Sequence, residues 1–185
     1  MTSTPALEFD HVSMVFPDGT HAVDDVSFTV GRGEFVTVVG PSGCGKSTLL
    51  RIASGLTDQT SGDCRVDRKQ LGYVFQDATL LPWRTVRRNV ELNAELQGLD
   101  KVERRGRATE AIELVGLSGH ESKYPKQLSG GMKMRCSLAR ALVLSPSVFL
   151  FDEPFGALDE ITRERLNDEL LRLFVHEGFA GLFIT

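Results

Sequence analysis

Residues 40–47 read Gly40-Pro41-Ser42-Gly43-Cys44-Gly45-Lys46-Ser47, which satisfies the pattern G-x-x-x-x-G-K-[ST] at all four fixed positions. An apolar, β-branched run, Glu34–Val39, precedes this stretch, and a helix-like segment, Ser47–Ser54, follows it. In that setting the glycines allow successive backbone N–H groups to point at one phosphate, and the helix dipole adds positive potential. The stretch therefore predicts a site for a nucleoside triphosphate.

Each residue of this phosphate loop has a predicted place in the site. Lys46 would put its charge on the β- and γ-phosphates, and Ser47 would offer its hydroxyl to Mg2+. Cys44 has no base or resolving thiol at a useful spacing, so we interpret it as a spacer and not as a nucleophile. The nucleotide-binding residues predicted from the loop are Gly40, Pro41, Ser42, Gly43, Cys44, Gly45, Lys46, Ser47 and Thr48.

A second apolar run, Val148–Phe151, ends in two carboxylates, Asp152 and Glu153. In a parallel sheet this strand would bring both acids to the edge where ligands bind. Asp152 would hold Mg2+, directly or through water, and Glu153 would polarise the attacking water as a general base. An acidic pair after a strand is often only a helix cap, and the phosphate loop is what favours the catalytic interpretation.

Strand-like and helix-like segments alternate along the chain, which indicates a parallel α/β core. Helical periodicity dominates from 85 to 145, with breaks near Gly98-Leu99-Asp100, so this stretch is predicted to be a subdomain inserted between core segments 1–84 and 146–185. The predicted strands are Leu7–Phe16, Ala22–Val30, Glu34–Val39, Leu71–Phe75, Ser147–Phe151 and Gly181–Thr185. The segment Asp63–Phe75 has a mixed pattern, and only its end, Leu71–Phe75, is strand-like. The predicted helices outside the inserted stretch are Ser47–Ser54 and the amphipathic Asp159–His176.

Composition and charge exclude several functional classes. The 185 residues carry a formal net charge of −4, so no overall positive field would recruit nucleic acid. The three cysteines form no CxxC pair, which favours a reduced cytosolic setting over disulfides or zinc. No run of about 18 apolar residues is present, and the N-terminus lacks the features of a secretory signal. Contact with a membrane would therefore come through a partner.

The segment Leu128-Ser129-Gly130-Gly131-Met132 resembles the LSGGQ signature of ABC ATPases. The phosphate loop, Gln76, this signature, the acidic strand and Ala157-Leu158-Asp159 follow one another as in the ABC nucleotide-binding domain, across nearly the whole chain. The resemblance implies a single such domain over 1–185. Its expected fold is an α/β P-loop NTPase (RecA-like) core with a parallel sheet, an N-terminal antiparallel β subdomain and an inserted helical subdomain. The expected ligands are ATP and Mg2+.

The resemblance also implies roles for residues near the nucleotide. Gln76 matches the glutamine that contacts Mg2+ and the attacking water and that senses the membrane partner. Phe16 matches the aromatic residue that stacks on adenine, where the family usually has tyrosine. An apolar core residue on a strand is an equally good interpretation of Phe16, because stacking tolerates different rings.

Further positions imply a dimer. Ser129, Gly130 and Gly131 would lie at a helix N-terminus and bind the γ-phosphate of ATP held by the opposite subunit. Asp159 matches the aspartate that communicates across the dimer. The resemblance thus implies a head-to-tail homodimer, or a heterodimer, with two ATP molecules between the chains. Met132 replaces the usual glutamine, and we expect function to tolerate this because the backbone amides persist.

The stretch Leu80-Leu81-Pro82-Trp83-Arg84-Thr85-Val86 resembles one in the ATPases of nitrate, sulfonate and taurine importers. An exposed Trp83 would offer a docking surface to a permease, whereas a tryptophan in the subdomain core is the alternative. The expected partners are a transmembrane permease subunit and, indirectly, a solute-binding protein, with no nucleic acid. The expected location is the cytoplasmic face of the inner or plasma membrane.

One element of the family pattern has no match. The family places a switch histidine directly after the strand that follows the Asp159 helix, and here that strand, Gly181–Thr185, is the last of the sequence. We therefore expect a C-terminally truncated domain whose last core strand leaves a sheet edge unpaired. The alternative function is a nucleotide-binding fragment without effective hydrolysis. A soluble ABC protein of DNA repair or translation is disfavoured, since no second cassette or coiled-coil insertion is visible.

Overall fold

The computed structural model describes residues 4–156 and 158–185, so Ala157 of the predicted Ala157-Leu158-Asp159 segment lies outside the described residues. The chain forms two compact units. The first runs to Tyr73 and adds Ser147–Glu153 and Gly178–Thr185, and the second consists of Val74–Pro146 and Pro154–Glu177. The borders predicted for the inserted helical subdomain, at 85 and 145, stay a prediction.

The first unit is built mainly from strands. Its elements are β1 (Leu7–Val15), β2 (His21–Val30), β3 (Phe35–Val38), α1 (Lys46–Ser54), β4 (Ser61–Val66), β5 (Leu71–Val74, ending at the border of the unit), β6 (Val148–Asp152) and β7 (Ala180–Ile184). The sequence did not predict β4. This strand is polar and largely exposed, and it is held by antiparallel pairing with β1, in which Leu7 lies opposite Val66.

Strands β2, β1 and β4 form an antiparallel sheet in that order. Leu7 and Phe9 of β1 face the core, and a register shift after Phe9 brings Val12 and Met14 to the same face. His11, at the shift, has a φ of 52°, which is uncommon for a residue other than glycine. This sheet confirms the predicted N-terminal antiparallel β subdomain.

The remaining strands form a second sheet in the order β3-β7-β6-β5. Strand β7 runs parallel to both β3 and β6, so it lies inside the sheet. The outer strands of the described sheet are β3 and β5, and the expectation of an unpaired sheet edge stays a prediction. Val148, Phe149, Leu150 and Phe151 of β6 are all buried, which explains the uninterrupted apolar run.

The second unit is helical in its described part. Its helices are α2 (Val86–Val90), α3 (Leu92–Leu96), α4 (Lys101–Leu114), α5 (Gly130–Leu142) and α6 (Glu160–Glu177), with a 3-10 turn at Pro125–Gln127. The predicted break near Gly98 is present, because Gly98 has a φ of 79° and Asp100 then caps α4 through the N–H groups of Val102 and Glu103. None of the described helices is long and apolar enough to span a membrane.

Candidate functional site

The phosphate loop meets the N-terminus of α1, and that end of the helix has no side-chain cap. The first N–H groups of a helix have no partner within the helix, so those of α1 are directed into the loop. Gly45 stands just before α1 with a φ of 94°. A side chain there would overlap the carbonyl group of Ala22, so both the backbone angle and the neighbouring strand require glycine at this position.

Lys46 is buried, with its ammonium group inside the loop. Its Nζ donates hydrogen bonds to the carbonyl oxygens of Gly40, at 2.7 Å, and Pro41, at 2.9 Å. The same Nζ lies 3.8 Å from Oε1 of Glu153. The sequence placed Lys46 and Glu153 in one site, and the structure brings them together.

Asp152 ends β6 and accepts two hydrogen bonds, one at each carboxylate oxygen. Oγ of Ser47 donates to Oδ1 at 2.7 Å, and the phenol of Tyr73 donates to Oδ2 at 3.1 Å. Burial, together with the negative charge of Asp152, raises the pKa of Tyr73 well above its usual value, so the phenol keeps its proton at neutral pH. Sequence reasoning missed Tyr73, although a hydroxyl in the apolar strand β5 was a signal that could have found it.

Glu153 follows directly in the chain and has a φ of 44°, a left-handed conformation uncommon outside glycine. Its backbone N–H donates to the carbonyl oxygen of Ile184 at 3.0 Å, which ties it to the end of β7. About a third of its side chain is exposed. Strained residues of this kind cluster at functional sites, and here the carboxylate of the strained residue lies 3.8 Å from the ammonium group of Lys46.

The donors at this edge of the sheet fit Mg2+. Ser47 and Asp152 supply hydroxyl and carboxylate oxygens, the ligand atoms that this ion prefers. Among the described residues no group of three or more His, Cys, Asp or Glu side chains could hold a metal ion.

The signature residues lie at the start of α5, in the second unit. Oγ of Ser129 caps the helix by accepting from the N–H of Met132 at 3.3 Å. A Cβ at Gly130 would lie 3.1 Å from Leu158, and a Cβ at Gly131 would lie 3.1 Å from Thr162, so both glycines allow the start of α6 and the residues just before it to approach closely. Both residues thus have a packing reason to be glycine, and the backbone N–H groups at this helix N-terminus remain suited to an anion.

Three further predicted residues have different settings. Gln76 is exposed in the second unit, just after β5. Asp159 accepts a hydrogen bond at 3.0 Å from the N–H of Thr162, and this bond lowers the pKa of its carboxyl group. Phe16, in the first unit, is partly buried against the core, which keeps both interpretations of its ring open.

Trp83 is 71% exposed, so the interpretation as a core tryptophan is wrong. The loop that carries Trp83 is hydrogen-bonded to the side chain of Asn89, a fully buried residue of α2. The side-chain amide of Asn89 donates to the carbonyl oxygens of Leu81, Arg84 and Thr85, and its oxygen accepts from the N–H of Leu81. Trp83 is thus presented on an ordered loop.

Comparisons with known proteins agree with this geometry. A family model described as ABC transporter matches residues 23–156. An aliphatic sulfonates import ATP-binding protein of Bacillus cereus is 41% identical over 97% of this chain and 74% of its own length. A nitrate import ATP-binding protein of Synechococcus elongatus is 43% identical over 97% of this chain and 29% of its own length.

Two solved structures are also similar. One, from Clostridium perfringens and described as part of the ABC transporter complex cbiONQ, has a TM-score of 0.89 and 27% identity, covering 98% of this chain and 78% of its own. The other is a dimeric ATP-binding cassette in a post-hydrolysis state with ADP and Pi, at a TM-score of 0.85 and 32% identity, covering 97% and 87%. Because the family model spans both the phosphate loop and the acidic strand, and relatives match almost the whole chain, the chain belongs to the ABC transporter family and is an ATP-binding ATPase subunit.

Proposed function

We propose that this chain binds ATP with Mg2+ at the phosphate loop and hydrolyses it through Glu153 to drive an ABC importer. The observation that supports this best is the meeting of two sequence-distant segments. Ser47 lies 2.7 Å from Asp152, and Lys46 lies 3.8 Å from Glu153. A phosphate-binding loop beside one carboxylate suited to a metal and one suited to a base is the arrangement that phosphoryl transfer to water needs.

Each residue then has a defined task. Lys46 exchanges its carbonyl partners for the β- and γ-phosphates, and the N–H groups of the loop and of α1 hold the same phosphates. Glu153 accepts the proton of a water whose oxygen attacks the γ-phosphorus, while the bond from that phosphorus to the β–γ bridging oxygen breaks. Mg2+, when bound, supplies neutralisation of the phosphate charge, and Ser47 and Asp152 are the residues that would hold it. The products are ADP and inorganic phosphate.

The second unit supplies residues that act with a partner chain. We assign Gln76 to contact the Mg2+ and the water, and Asp159 to contact the other subunit. Ser129, Gly130 and Gly131 would bind the γ-phosphate of the ATP held by that subunit, in a head-to-tail homodimer with ATP at the interface. Phe16 would stack on adenine.

The exposed Trp83 supports an importer with a separate permease subunit. A large apolar side chain that is 71% exposed on an ordered loop is a surface suited to a protein partner. The relatives named for nitrate and for aliphatic sulfonate import favour small oxyanions of the nitrate, sulfonate or taurine kind as solutes. The chain would then lie at the cytoplasmic face of the membrane, bound through the permease and served indirectly by a solute-binding protein.

The test is ATP hydrolysis by the purified chain, beside a Glu153→Gln variant and with ATP binding measured for both. Turnover that is lost in Glu153→Gln while ATP binding persists supports the proposal. Binding without turnover in the unaltered chain supports the alternative of a nucleotide-binding fragment. A folded chain that binds no ATP would refute the assignment of the phosphate loop.

The importer assignment needs its own experiment. The chain would be co-expressed with a candidate importer permease subunit, and co-purification would be compared for Trp83→Ala and the unaltered chain. Loss of the complex in the variant, at unchanged thermal stability, supports docking at Trp83. Full complex formation by Trp83→Ala would contradict it.

A further inference from the structure

Arg140, near the end of α5, makes an unusual set of hydrogen bonds. Its guanidinium donates to the carbonyl oxygen of Thr79 at 2.9 Å, to the carbonyl oxygen of Ala78 at 3.0 Å and to Oγ1 of Thr79 at 3.0 Å. A longer bond, of 3.4 Å, goes to Oγ of Ser137 in the same helix. Its own carbonyl oxygen accepts from the side-chain amide of Asn93 at 3.0 Å, which fixes this turn of α5 to α3.

All these acceptors are neutral, and within the described residues no carboxylate forms an ion pair with Arg140. Partial burial of the guanidinium without a counterion is unfavourable, and burial lowers the pKa of Arg140. What the guanidinium contributes here is several donors in one rigid plane. Its three shorter bonds all go to one short segment, the residues just after Gln76.

The donors of Arg140 hold Thr79 in an uncommon backbone conformation. Its φ is 44°, and a β-branched residue in this left-handed region is a genuine outlier. Such a conformation persists only where the surroundings over-determine it. The carbonyl oxygen and the side-chain hydroxyl of Thr79 both accept hydrogen bonds from Arg140, so one guanidinium holds both the backbone and the side chain of the strained residue.

We propose that Arg140 is a positioning residue that fastens the segment 75–79, and with it Gln76, to α5. The helix starts at the signature residues Ser129-Gly130-Gly131 and extends about 20 Å to its other end. A displacement of the signature on nucleotide binding is then passed to Gln76 by a rigid helix and one guanidinium. The assignment of Gln76 and of the signature rests on the proposed function, whereas the attachment itself does not.

Hydrogen–deuterium exchange of the ligand-free chain tests the attachment. In Arg140→Met the peptide covering 75–80 is expected to exchange about tenfold faster, because its carbonyl oxygens lose the donor that holds the segment to α5 and its backbone then opens more often. The adjacent peptide over 81–85, held by Asn89, is expected to keep its rate. Arg140→Lys keeps the charge but lacks the planar set of donors, so the exchange rate of its 75–80 peptide should lie between those of the unaltered chain and Arg140→Met. Arg140→Lys replaces Arg140→Met in the comparison if Arg140→Met fails to fold.

The matched control is Arg135→Met on the same helix. Arg135 pairs with Glu169 at 2.6 Å and makes no bond to 75–80. This control should leave the 75–80 peptide unchanged. Unchanged exchange of 75–80 in Arg140→Met and Arg140→Lys, or an equal rise in every peptide of α5 and its surroundings, would overturn the proposal.

A second arm tests the coupling and separates it from the proposed function. In a Glu153→Gln background, ATP with Mg2+ is expected to slow exchange at 75–80. Arg140→Met should lose this protection while its Kd for ATP changes by less than about threefold, because the substitution leaves every residue of the phosphate loop unchanged. Full protection in Arg140→Met would overturn the coupling. A chain that binds no ATP would instead refute the proposed function, and the ligand-free comparison would still decide the attachment.

Discussion

Gly45 and Gly43 form a matched pair for testing why the phosphate loop needs glycine. Both have left-handed backbones, with φ of 94° at Gly45 and 82° at Gly43. They differ in their surroundings. A Cβ at Gly45 would overlap the carbonyl group of Ala22, whereas a Cβ at Gly43 would meet nothing within 4 Å.

The two alanine variants should therefore differ in stability. The left-handed conformation costs an alanine about 1–2 kcal/mol, and the stiffer unfolded chain returns about 0.4–1 kcal/mol of that. Gly43→Ala should thus lose about 1.6 kcal/mol or less. Gly45→Ala must also displace backbone, which adds about 1–3 kcal/mol, so its total loss is about 1–5 kcal/mol.

Thermal unfolding of the ligand-free chain measures the difference. For a chain of this size 1 kcal/mol corresponds to about 2–4 °C in Tm, so Gly43→Ala should lower Tm by no more than about 6 °C, and Gly45→Ala should unfold roughly 2–12 °C below Gly43→Ala. ATP binding, followed with a fluorescent nucleotide, should be lost in Gly45→Ala and weakened in Gly43→Ala. Equal Tm values for the two variants would refute the argument from Ala22.

Three further outcomes follow from the same contacts. Tyr73→Phe removes the hydrogen bond to Asp152 and should destabilise the chain by about 1 kcal/mol in urea unfolding, with ATP binding retained in EDTA; no loss would show that the bond is not formed in solution. Because the pKa of Asp159 is lowered in the folded chain, its cap on α6 stabilises the fold fully at pH values above the ordinary carboxyl pKa, and this stabilisation is lost as pH falls through the lowered pKa. Asp159→Asn caps α6 without titrating, so the stability of this variant should fall less steeply at acid pH. A thiol reagent at mildly alkaline pH should label the exposed Cys44 first, and ATP should slow that labelling, because burial raises the pKa of the other two thiols to about 11 and about 12; rapid labelling of all three would contradict the fold.

Local sequence patterns predicted the parts of this protein in which neighbours along the chain suffice. The spacing of glycines, lysine and serine over Gly40–Ser47 predicted the phosphate loop, and the apolar run ending at Asp152 predicted β6, since each pattern corresponds to one element and its turn. Helical periodicity predicted a helical stretch over 85–145, in which α4 and α5 lie, and it predicted α6 to within one residue at each end. Strand β4 escaped prediction because it is stabilised by pairing with β1 and not by an apolar pattern of its own.

Contacts between distant residues needed the folded chain. Tyr73 meets Asp152 across 79 positions, and Arg140 meets Thr79 across 61. No periodicity encodes such pairs, because they depend on the order of the strands and on where each helix lies. The left-handed backbones of Glu153 and Thr79 are likewise held by bonds to residues remote in sequence, Ile184 and Arg140. A motif identifies which side chains can do the chemistry, and the packing of the whole chain fixes what each of them faces.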